Sequence, residues 1–182
     1  VEIVARIRAL PRAPKVALTT NGLRMVGLAK PLADAGLERV NISLDTLDRE
    51  RFAKLTHRDR LDQVLAGIEA AQLAGLTPVK VNAVLMRGLN EDEAIPLLSH
   101  AIEHGWSLRF IEQMPLDAQG AWERSDMVTA AEVFDLLSTR FTLTPVEERG
   151  SAPAEEWLVD GGPATVGIIA SVSKPFCAAC DR

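Results

Sequence analysis

Two cysteines close the chain's last motif, Phe176-Cys177-Ala178-Ala179-Cys180-Asp181-Arg182. Thiols at this spacing can ligate zinc, ligate an iron–sulfur cluster or act as a redox dithiol, and two buried free thiols also fit it. A thioredoxin-type pair opens a helix after an early strand, whereas this pair comes last. Zinc and iron–sulfur sites take three or four ligands. Further ligands, and a longer parent protein cut at both ends, are therefore expected; the start on Val1 points the same way. Lys80 places an ammonium in the strand-like run Val79 to Met86. A buried lysine needs an anion or loses its charge. A phosphate-bearing ligand and an ion pair with an acid such as Asp45 or Glu112 both satisfy it. His100 and His104 have zinc-capable i, i+4 spacing. They also stand in the last turn of a predicted helix, where its dipole favours histidine, and that is the simpler reading. Taken singly, Thr19-Thr20-Asn21-Gly22 reads as a strand-to-turn junction, Met114 before Pro115 as packing, and Glu91-Asp92-Glu93 as an acidic first helical turn.

The elements that must position these groups alternate regularly. Strands are predicted at 15–20, 39–44, 79–86 and 108–114. Helices are predicted at 1–10, 23–35, 48–55, from Leu61 to Gly75, and at 91–104. This βα order predicts a parallel sheet with crossover helices. A loop over 115–127, a helix from Thr129 to Arg140, a strand-like Glu156–Val159 and a last strand from Thr165 to Val172 complete the reading. Within the strands, side chains alternate between faces. Val40, Ile42 and Leu44 share one face, and Asn41, Ser43 and Asp45 the other; Lys80 and Asn82 stand opposite Val79, Val81 and Ala83. A strand buried on both sides would be apolar throughout. A recurring polar face predicts instead a wet, ligand-holding interior near the strand C-termini, where parallel α/β folds bind ligands.

Composition narrows the function classes. In 182 residues, 20 Lys and Arg face 25 Asp and Glu, a net charge of −5 that argues against nucleic-acid binding. A hydrophobic fraction of 47% with 25% charged residues is that of a globular domain. No apolar run reaches the ~18 residues of a membrane span, and no secretory pattern opens the chain. Two cysteines cannot build a secreted disulfide framework.

Five segments stand in order: Thr19-Thr20-Asn21-Gly22, Val40-Asn41-Ile42-Ser43-Leu44-Asp45, Val79-Lys80-Val81-Asn82, Arg109-Phe110-Ile111-Glu112-Gln113-Met114-Pro115 and the cysteine motif. Together they resemble the GTP 3′,8-cyclase family of molybdenum cofactor biosynthesis, which are radical S-adenosylmethionine (SAM) enzymes. The resemblance covers essentially the whole chain. It implies an α/β fold, a truncated partial (β/α) TIM-like barrel over residues 1–144, with 145–182 starting a C-terminal iron–sulfur and GTP-binding extension. It also implies two 4Fe–4S clusters. The N-terminal one cleaves S-adenosyl-L-methionine to a 5′-deoxyadenosyl radical, which takes hydrogen from C3′ of GTP so that C3′ attacks C8. By resemblance, Ser43 and Met114 contact S-adenosylmethionine and Thr19, Lys80 and Arg182 contact GTP. Cys177 and Cys180 supply two of the three ligands to the C-terminal cluster. The family further implies a cytoplasmic protein that passes its product to cyclic pyranopterin monophosphate synthase, and it leaves a homodimer open.

The family's N-terminal C-x₃-C-x₂-C motif, its Gly-Gly-Glu-Pro segment and the third C-terminal cysteine do not occur in these 182 residues. The chain alone is thus expected to bind part of GTP without turnover. Other readings are a different radical SAM enzyme with an auxiliary cluster, a non-catalytic zinc-stabilised α/β domain, and an aldolase-type barrel with Lys80 as Schiff-base lysine.

Overall fold

The computed structural model describes residues 1–116, 120, 122–146 and 152–174. They form two compact units, Val1–Leu44 with Asp48–Val81, and Asp45–Leu47 with Asn82–Arg182.

The first unit runs α1 (Glu2–Arg8), β1 (Ala17–Thr20), α2 (Met25–Asp34), β2 (Arg39–Ser43), α3 (Arg49–Thr56) and α4 (Leu61–Leu73), and holds Lys80 and Val81 of β3 (Lys80–Ala83). β1 and β2 are parallel, with Thr19 opposite Asn41. The predicted alternation is present: Val40 and Ile42 are fully buried, whereas Arg39 and Ser43 are exposed and Asn41 lies between. α2 packs on α4, and each such leucine or isoleucine buried at their core contributes about 1.5–3 kcal/mol. Asp48 caps α3 as its spacing predicts, its carboxylate accepting from the Arg51 amide at 2.7 Å.

The close approach of the turn after β1 to α4 depends on two glycines. Gly22 takes φ +80°, and a Cβ at Gly67 would stand 2.3 Å from the Gly22 carbonyl oxygen. That oxygen already accepts from the Met25 amide at 2.9 Å, at the start of α2. Gly67→Ala should therefore destabilise the full-length protein by about 1–3 kcal/mol through overpacking. Gly27→Ala in α2, where a Cβ meets nothing within 4 Å, should stabilise it by about 0.5–1 kcal/mol. Thermal melting of the two variants reads the opposite signs.

The second unit contains the rest of β3, a 3₁₀ turn (Glu91–Glu93), α5 (Ala94–His104), β4 (Ser107–Ile111), a second 3₁₀ turn (Arg124–Asp126), α6 (Ala130–Ser138), β5 (Leu143–Pro145), β6 (Glu155–Val159) and β7 (Thr165–Ile169). β4 and β7 are parallel, while β7–β6 and β6–β5 are antiparallel. α5 and α6 pack on each other and on β4, over buried Leu97, Leu108, Phe110 and Leu137. Thr129 starts α6 with a capping box: its hydroxyl accepts from the Glu132 amide, and the Glu132 carboxylate accepts from the Thr129 amide at 2.8 Å. With Arg87 2.7 Å away as well, Glu132 is held down to about 2. The fold is the mixed α/β type that the βα order predicts, rich in parallel pairing. The antiparallel β5, too short to show a period, was not expected. No helix among the described residues is long and apolar enough to cross a membrane.

Candidate active site

The packed sides of β2, β3 and β4 are apolar, so chemistry is left to the opposite side. In the first unit that side carries Thr19, Asn41, Ser43 and Lys80. Thr19 and Ser43 are exposed and Lys80 is half-buried. Thr19 and Asn41, opposite in register, are joined by the Asn41 amide donating to the Thr19 hydroxyl at 3.2 Å. Two side chains bridge the turn that follows: Thr20 Oγ1 accepts from the Gly22 amide and Asn21 Oδ1 from the Leu23 amide, both at 3.3 Å.

In the second unit the equivalent side carries Asn82, Arg109 and Gln113. The oxygens Asn82 Oδ1 and Gln113 Oε1 are buried and accept no hydrogen bond among the described residues. A buried acceptor left unpaired costs about 1–3 kcal/mol. Both therefore suit a ligand bearing N–H or O–H donors, as a nucleotide base, a ribose or an amino acid does. The Arg109 side chain crosses the sheet surface. Its register neighbour on β7 is Gly167, where a Cβ would lie 3.0 Å from Arg109 Cγ, and the next position on β6 is Glu156, 3.6 Å from the guanidinium. The missing side chain at Gly167 is what lets the arginine pass. Met114 is 41% exposed just beyond β4, available to a ligand and not committed to the core.

Two buried polar groups hold the segment after β2 against the turn after β3. Fully buried Asn90 donates to the Asp45 carbonyl at 2.8 Å and the Val84 carbonyl at 3.0 Å, and accepts from the Met86 amide at 2.8 Å. Glu93, also buried, accepts from the Thr46 hydroxyl at 2.6 Å and the Leu47 amide at 3.2 Å. The Asp45 carboxylate accepts from the Val84 amide at 2.8 Å; burial nevertheless pushes its pKa above the ordinary carboxylate value. Glu93, read from the sequence as part of an acidic helix start, is thus an internal acceptor.

Glu112 forms a third hub. It is 3% exposed. One oxygen accepts from the Ala130 amide at the start of α6, 2.7 Å away, and from the Ser173 hydroxyl. The other accepts from the amides of Val172 and Ser173 at 2.8 and 2.7 Å. Burial alone would raise its pKa, but these donors outweigh it and hold the carboxyl below its usual value. Both of its oxygens are thus engaged within the second unit. The segment it fixes runs on towards Cys177; Cys177, Cys180 and Arg182 lie outside the described residues. A cleft of about 300 Å³ between α6, β6 and β7 is lined by Phe134, Asp135, Glu155, Trp157 and Lys174 and contains none of the predicted site residues.

The family model of the radical SAM superfamily matches residues 1–101, and that described as Molybdenum Cofactor Synthesis C matches residues 106–182. Across its whole length the chain is 61% identical to a Streptomyces coelicolor protein named GTP 3′,8-cyclase, covering 54% of it. It is 52% identical, again over its whole length, to one of the same name from Mycolicibacterium smegmatis, covering 52%. With a Rhodococcus opacus protein of that name, 92% of the chain aligns at 58% identity, covering 48%. The chain spans about half the length of the curated relatives it matches.

Proposed function

We propose that this chain, which belongs to the radical SAM superfamily, is the middle of an enzyme that converts GTP to 3′,8-cyclo-7,8-dihydro-GTP, the first step of molybdenum cofactor biosynthesis. What carries the reading is 61% identity over the whole chain with a protein of that name. The polar strand faces support it. Lys80, half-buried on β3, supplies a cation for the triphosphate, and the Thr19 hydroxyl a further polar contact to GTP. Ser43 and Met114 hold S-adenosylmethionine, a sulfonium compound with apolar and polar surfaces to match thioether and hydroxyl. The buried acceptors of Asn82 and Gln113 take N–H or O–H donors of these ligands. Cys177 and Cys180 ligate the second of two 4Fe–4S clusters, and Arg182 adds positive charge for GTP.

Bound S-adenosylmethionine with its cluster supplies the hydrogen-abstracting chemistry. The chain's own contribution is to orient the ribose and base and to exclude water from the reacting carbon. Residues 1–144 belong to the partial barrel and 145–182 open the extension in this reading. The protein works in the cytoplasm, and its product feeds a downstream synthase that rearranges it to a cyclic pyranopterin.

The test uses the full-length protein under anaerobic conditions with GTP, S-adenosylmethionine and a strong one-electron reductant. Consumption of GTP with formation of the 3′,8-cyclised nucleotide is expected. Reductive cleavage of the cofactor with GTP left intact would overturn the assignment of substrate while leaving the superfamily in place.

A further inference from the structure

Away from the strand faces, the end of α5 brings three ligating side chains to one helix surface. His100, Glu103 and His104 stand at i, i+3 and i+4, positions that are neighbours on a helix. Their ligand atoms all lie within 4.8 Å of one another. We propose that these three residues form a surface site for a divalent late transition cation of the zinc or nickel type.

Four observations go beyond sequence spacing. First, the two imidazoles lie against each other, with centroids 3.9 Å apart and planes inclined by 28°, so both rings sit on one helix surface and a modest rotation of exposed His104 turns its edge towards a shared ion. Second, His104 Nδ1 lies 2.9 Å from the His100 carbonyl. A carbonyl only accepts, so Nδ1 is the donor and Nε2 the nitrogen that would ligate. This is the arrangement in which a backbone acceptor fixes the tautomer of a ligating histidine. Third, Trp106, nearly buried, packs edge-on to His100 at 4.7 Å and stands 5.6 Å from His104, bracing the pair from one side. Fourth, α5 ends at this point, with Gly105 in the left-handed conformation, so the negative end of the helix dipole faces a bound cation.

Nitrogens on a tetrahedral zinc lie about 3.4 Å apart, given Zn–N bonds of 2.0–2.1 Å. His104 and Glu103 are exposed and can close by rotation. Imidazole with one carboxylate selects zinc, nickel or copper over magnesium or calcium.

The experiment titrates Ni²⁺ alone into untagged full-length protein, clusters assembled, with calorimetry and equilibrium dialysis as readouts. One saturable site per chain is expected. His100→Ala and His104→Ala should each weaken it by at least about 10-fold, the scale at which even outer-shell partners of a metal act; Glu103→Gln should weaken it less. Ni²⁺ should also raise the melting temperature of the wild type and not that of His104→Ala, whose exposed side chain keeps the substitution compatible with folding. Wild-type affinity in both histidine variants, or no saturable site in the unmodified protein, would overturn the proposal.

Discussion

Lys80→Met in the full-length protein is expected to raise KM for GTP by roughly 30- to 100-fold, with S-adenosylmethionine affinity little changed. The lysine stands on the side of β3 opposite fully buried Val79 and Val81 and is itself half-buried. A phosphate oxygen meeting its ammonium forms a charge-assisted hydrogen bond worth about 2–3 kcal/mol, which is the range of that fold-change. Methionine keeps the length and apolar stem of the side chain, so the strand's packed face is untouched. Lys80→Arg should fall between, since guanidinium restores the charge but not the shape. Initial rates at varied GTP, together with cofactor cleavage in the same samples, make the measurement. If KM stays put while the protein loses stability, Lys80 is part of an internal ion pair and the triphosphate is held elsewhere.

The strand faces behind that prediction were legible because alternation is a local property. Val40-Asn41-Ile42-Ser43 needs no partner to reveal its two sides, and the structure buries the predicted residues. The helix starts were legible for the same reason: Asp48 and Thr129 lie three residues before the amides they cap. The polar hubs were not. Glu93 finds its donors 46 and 47 positions earlier, at Leu47 and Thr46. Glu112 finds its own 18 positions on at Ala130 and about 60 on at Val172 and Ser173. No periodicity carries information over that range. A glutamate in an acidic triplet looks like any helix start until its side chain is seen to turn inward.

Gly167 shows the intermediate case. A glycine within an apolar strand signals close approach of something, but only the register across β4, β7 and β6 identifies it as the Arg109 side chain reaching Glu156. β5 was missed on physical grounds as well. Its three residues, Leu143-Thr144-Pro145, are too few to establish a period, and they include a proline that strands tolerate only at edges. For the histidine pair of α5, spacing and helix position favour simple dipole electrostatics, while ring stacking and the Nδ1 bond are visible only in three dimensions.

Glu112→Gln should be the most destabilising single-atom change in the second unit. The carboxylate accepts from three backbone amides and one hydroxyl in a site that is 3% exposed. A carboxamide offers one oxygen and turns an NH₂ towards the remaining donors, leaving at least one buried amide unpaired and another facing a donor. At about 1–3 kcal/mol for each group stranded, the loss should reach about 2–5 kcal/mol. The pH dependence follows from the lowered native pKa. In the unfolded chain the carboxyl has its ordinary pKa of 4.5, so the stabilisation is fully present above that value. It is lost as pH falls through the lower native pKa. Glu112→Gln cannot titrate, so its melting temperature should fall less between pH 7 and pH 3 than that of the wild type. Amide exchange at Val172 and Ser173 should accelerate in the variant. Ser173 stands four positions before Cys177, so with Cys177 a cluster ligand, as proposed, iron retained per chain should drop as well. A variant that melts within about 0.5 kcal/mol of the wild type, the usual range for surface changes, would show that Glu112 does not hold α6 and the Val172–Ser173 segment together.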